Sequence, residues 1–76
     1  MQDEKYMATL KVLGQNVKRY MKEKSIDFNE LSKRTGIRKR YLKKITEGNC
    51  SGIMISQIFF LAKGLKINPH ELVEGC

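Results

Sequence analysis

At 76 residues the chain has material for one small core and none for a separate sensing domain. Fifteen Lys and Arg against eight Asp and Glu leave a net charge of +7, the balance of a protein that meets a polyanion. No apolar run approaches the roughly 20 residues that cross a bilayer, and the polar, acidic opening Met1-Gln2-Asp3-Glu4-Lys5 is unlike the basic-then-apolar start of a secretory signal, so a cytoplasmic protein is expected.

Residues 1–8 read as an N-terminal arm, with three readings left open: a flexible segment, a stub of the first helix, or disorder. The remainder, 9–76, reads as a single domain. Leu10, Leu13, Val17 and Tyr20-Met21 recur at helical spacing while Lys11, Lys18, Arg19 and Lys22 fall on other faces, which predicts an amphipathic helix near 9–24. Asp27-Phe28-Asn29-Glu30 is a start signal: Asp27 accepts from free backbone N–H groups and Glu30 reaches back as the reciprocal cap. The second helix, near 28–35, stops at Gly36, since glycine takes the left-handed conformation that ends a helix. A third helix is expected near 39–47 with Leu42 and Ile45 inward. A loop through Cys50-Ser51-Gly52 leads to a fourth near 55–65, whose apolar stripe is Ile55, Ile58, Phe59, Ala62 and Leu65. Asn68-Pro69-His70-Glu71 combines a cap, a first-turn proline and a back-capping glutamate, opening a last helix near 69–74. The expected fold is all-α, five helices and no strand.

Two short helices joined through one glycine form a unit that many proteins insert into DNA. Here Leu31, Ser32, Gly36, Ile37, Leu42 and Ile45 hold its spacing, with Ser32 small enough to let two helix axes approach. Around that turn lie Lys33, Arg34, Arg38, Lys39, Arg40, Lys43 and Lys44 without an intervening acid. Cations set against phosphates release condensed counterions, giving affinity that falls steeply with salt but selects no sequence. Selection needs groups at base edges, and Lys39, Arg40, Lys43 and Lys44 point away from Leu42 and Ile45. Arg40 is the first choice, because a guanidinium bonds both acceptors of a guanine. Arg38, Tyr41, Asn29, Asn49 and Ser51 lie where a side chain grips the backbone and sets register. Each has a plainer reading: a basic run is often only a solvated face, the Tyr41 ring could pack on Ile37, and Glu47 could pair with Lys43.

The six motif residues, with Ile55, Ile58, Leu61, Ala62, Leu65, Ile67, Glu71 and Leu72 behind them, make the chain from about Leu10 to Val73 resemble the phage repressor and Cro family of helix-turn-helix proteins. Phe28, Thr35 and Arg38 depart from that pattern: members often carry a phosphate-touching glutamine, an aliphatic residue and a serine or threonine cap at these places. The resemblance implies a compact repressor-like bundle whose third helix reads the major groove of double-stranded DNA, and a transcriptional regulator, most simply a repressor.

The alternative is a protein-interaction module, such as an antitoxin-like partner that also binds its own operator. No enzyme is expected, because no nucleophile has a base at the right spacing and the lone His70 has no second ligand or proton partner. No cofactor is expected, and no metal, since Cys50 and Cys76 lack paired spacing and neighbouring histidines. The two cysteines read as free thiols, with a disulfide between them as the alternative. No membrane partner is expected. A homodimer is, because one recognition helix reads only a few base pairs, and Met54, Phe60 and Val73 are its candidate contacts.

Overall fold

The computed structural model describes residues 3–49 and 53–75, with side chains from residue 9 onward. Its helices are α1 (Asp3–Glu23), α2 (Phe28–Thr35), α3 (Lys39–Thr46), α4 (Ile55–Leu65) and α5 (Pro69–Leu72), with no strand among the described residues. The all-α, five-helix expectation is met. One core joins them: Leu13, Val17 and Met21 of α1 meet Leu31, Ile37, Leu42 and Ile45 of the helical pair, closed by Leu61, Ala62 and Leu65 of α4 and Leu72 of α5.

Helix α1 starts at Asp3, not near residue 9, so of the readings left open for residues 1–8 the structure has the stub of the first helix over 3–8, while 1–2 lie outside the described residues. The apolar stripe begins only at Leu10, yet Glu4, Lys5, Met7 and Ala8 favour helix by themselves and acids at its start suit the helix dipole, so the helix begins before its stripe does. At its far end the Ile26 N–H bonds the Met21 carbonyl at 2.9 Å and the Ser25 N–H the Lys22 carbonyl at 3.2 Å, a Schellman closure that buries Ile26 against Met21.

Three expectations within the helices are corrected. Glu30 does not reach back to cap α2; the Asp27 carboxylate alone accepts there, from the Glu30 N–H at 2.8 Å, while the Glu30 carboxylate accepts from Arg34 Nε at 3.0 Å. The last helix ends at Leu72 instead of near 74, and buried Asn16 donates from one amide nitrogen to the Leu72 carbonyl at 2.8 Å and the Glu74 carbonyl at 2.9 Å, satisfying oxygens that have no partner within a helix end. The apolar stripe of α4 is split. Leu61, Ala62 and Leu65 are buried, whereas Ile55 and Phe59 are 72% and 53% exposed. Gly64 faces α2, where a Cβ would come within 2.7 Å of Thr35 Cγ2, and this close approach rotates Leu61 inward and Phe59 out.

Candidate nucleic-acid interface

The turn between α2 and α3 is closed by its own polar groups. Gly36 takes φ 76°, ψ 3°, the left-handed region that favours glycine, and its N–H bonds the Ser32 carbonyl at 2.8 Å. The Ser32 hydroxyl donates to the Ile37 carbonyl at 2.6 Å, so Ser32 acts through its oxygen as well as its size. Thr35, where an aliphatic side chain is usual in the family resembled, donates to the Leu31 carbonyl at 2.8 Å and accepts from the Ile37 N–H at 3.1 Å. Backbone groups left open by the reversal are thereby satisfied, and α3 leaves it in a set direction.

From that turn α3 presents two surfaces. Leu42 and Ile45 are buried, and opposite them Lys39, Arg40, Lys43, Lys44 and Glu47 are all exposed. Arg38 precedes the helix in an extended conformation with no side-chain cap, its carbonyl accepting from the Tyr41 N–H at 2.9 Å and the Leu42 N–H at 3.0 Å. Arg38, Arg40, Tyr41 and Lys44 together line a concavity of about 350 Å³ along one flank of α3. Tyr41 is half-buried, its ring packed against the core cluster.

Other expected contact residues fall around this face. Lys39 Nζ donates to Asn29 Oδ1 at 2.8 Å, which ties the start of α3 to the start of α2 and leaves the Asn29 amide hydrogens for another acceptor. Asn49 is exposed just beyond α3. Ser51, the remaining expected backbone contact, and both cysteines lie outside the described residues. Glu47 is in neither of the ion pairs among the described residues, Arg19–Glu23 and Arg34–Glu30.

One cation of the basic run has a different task. Arg34 accepts its place from two partners: Nε bonds Glu30, and Nη1 donates to the Gly64 carbonyl at 3.0 Å, fastening α2 to the end of α4. The Glu30–Arg34 spacing of one helical turn was the available sequence signal; the Gly64 carbonyl, 30 residues away, left none. Phe28 is half-buried on the core, where the resembled family often places a glutamine.

The expected dimer residues divide between two places. Val73 borders a groove with Ile55, Ile58, Phe59, Pro69 and His70, and the groove is apolar throughout. Phe60, about 100° round the helix from Phe59, instead lines a second groove with Gln57 and the turn residues Thr35 to Arg38. Met54, at the start of α4, is 64% exposed. The structure adds Ile55 and Phe59 to the exposed apolar surface, two residues the helical spacing had placed in one stripe with the core.

Among the described residues no helix is long and apolar enough to cross a membrane, and no group of three or more His, Cys, Asp or Glu side chains is placed to hold a metal ion. A model of the Cro/C1-type HTH DNA-binding domain matches residues 16–74. Among solved structures, the restriction-modification controller protein C.AhdI from Aeromonas hydrophila superposes with a TM-score of 0.81 at 26% sequence identity, over 86% of this chain and 97% of that one. No curated protein matches the chain.

Proposed function

The chain belongs to the Cro/C1-type helix-turn-helix DNA-binding family, and from that premise we propose that it is a sequence-specific transcriptional regulator, most simply a repressor, which reads the major groove with α3. The observation that carries the reading is the exposed Lys39, Arg40, Lys43 and Lys44 opposite the buried Leu42 and Ile45, on a helix whose direction is set by the hydrogen-bonded turn. Rigid presentation matters because base readout requires side chains held in register at groove edges. Arg40 reads guanine, with Lys39, Lys43 and Lys44 at neighbouring base edges. Arg38, Tyr41, Asn29 and Asn49 hold the sugar-phosphate backbone and fix register. Arg34 takes no part in either.

Two copies then read two half-sites one helical turn, about 34 Å, apart. The apolar groove around Ile55, Phe59 and Val73 supports pairing through α4 and α5, since exposed apolar surface of this kind marks association sites. The likeness to a restriction-modification controller favours a regulator over an antitoxin-like interaction module, and supports a role in controlling genes of that kind.

Selection of bound sites from random duplex DNA tests the reading, run with the parent protein and with Arg40→Ala. The parent should return a two-fold symmetric motif. Arg40→Ala should relax preference at one position of each half-site, a loss of about 1–3 kcal/mol in discrimination there. A preserved motif with uniformly weaker binding would move Arg40 to the phosphates, and no enriched motif from the parent would end the sequence-specific reading.

A further inference from the structure

The two edges of α3 are unequally charged. Arg40 and Lys44, one turn apart, form one edge, and the concavity they share with Arg38 and Tyr41 adds a further cation to it. On the other edge Lys39 and Lys43 stand one turn apart, and the helix ends there on Thr46, neutral, its hydroxyl donated to the Lys43 carbonyl at 2.8 Å. A helix in the major groove lies between two phosphate ridges, the groove being about 12 Å wide. The first edge thus carries Arg38, Arg40 and Lys44, while the last residue of the second, beyond Lys43, is uncharged.

A residue from α1 stands at that place. Gly14 packs α1 against the backbone of Ile45 and Thr46, and one turn earlier Lys11 crosses the end of α3: a Cβ on Gly48 would lie 2.9 Å from Lys11 Cγ and 3.0 Å from its Cα. The absent side chain of Gly48 is what lets the Lys11 stem lie there. Lys11 is exposed, and neither ion pair among the described residues includes it. We propose that Lys11 is a backbone-phosphate contact, gripping the ridge on the Thr46 side of α3, where the helix itself ends in a neutral residue. The inference rests on the reading that α3 enters the major groove, and extends the binding surface to α1.

The competing role is structural: a cation near the negative end of α3 stabilises that helix through its dipole. Salt dependence separates the two. Lys11→Gln keeps the Cβ and Cγ that lie on Gly48 but loses the charge, and Lys11→Arg keeps both. Binding of each variant to the duplex recovered by site selection is measured by fluorescence anisotropy across a salt series, alongside thermal unfolding. The slope of log K against log salt for the two-copy complex should become shallower by about 1.8 in Lys11→Gln, the share of one phosphate contact in each copy, while Lys11→Arg keeps the parent slope and the selected motif is the same in all. A Lys11→Gln protein with the parent slope, whether or not its melting temperature falls, overturns the Lys11 contact and leaves the α3 reading standing. A parent protein with no salt-dependent binding to duplex overturns both.

Discussion

Replacing Gly14 by alanine sets two effects of opposite sign against each other. In an isolated helix the change is favourable, because alanine in a helix interior is better than glycine by about 1 kcal/mol. In this fold the new Cβ would lie 2.9 Å from the Thr46 carbonyl oxygen, 3.0 Å from the Thr46 carbonyl carbon and closer still to the Ile45 oxygen. These are backbone atoms of the last turn of α3, and the Gly48 N–H holds the Ile45 carbonyl at 3.1 Å, so no side-chain rotation relieves the overlap. Overpacking in a well-packed interior costs about 1–3 kcal/mol, and backbone neighbours put this site toward the upper end. The net expectation is a loss of about 1–2 kcal/mol, or a melting temperature lower by roughly 5–15 °C for a domain of this size. Far-UV circular dichroism during heating measures it, with Gln15→Ala on the exposed side of α1 as the control that should stay near the parent. A Gly14→Ala protein as stable as the parent, or more so, would refute the close α1–α3 approach, and with it the placement of Lys11 at the end of α3.

The remaining predictions separate holding the fold from binding. Arg34→Met should lower stability by about 1–2 kcal/mol, since its partly exposed guanidinium bonds Glu30 and the Gly64 carbonyl, yet leave the salt dependence of DNA binding at the parent slope; a slope reduced by about 1.8, one contact in each of two copies, would return Arg34 to the phosphate contacts. Phe59→Asp should convert the protein to monomer in sedimentation, because a carboxylate there faces the apolar groove with Ile55 and Val73, whereas Phe60→Asp, on the groove beside the turn, should leave the mass unchanged. The opposite pattern would move the dimer contact to the Phe60 side.

Much of the architecture is written in short-range signals. Asp27 caps α2 from three residues away, Gly36 turns left-handed where no other residue does so cheaply, and Leu31, Ile37, Leu42 and Ile45 are buried at the intervals that brought the helical pair to notice. Such signals act within a turn or two of chain, so composition and spacing suffice to read them. Side-chain duties depend on elements far apart in sequence, and these only the packed fold decides. Nothing local marks Asn16 as the partner of carbonyls more than fifty residues on, Arg34 as a clasp on Gly64, or Lys11 as a neighbour of Gly48. The apolar spacing of α4 was compatible with Phe59 facing inward until the approach of Gly64 to α2 turned Leu61 there instead. A helix carries its periodicity in its own residues, but the rotation at which it docks is set by whichever neighbour approaches most closely.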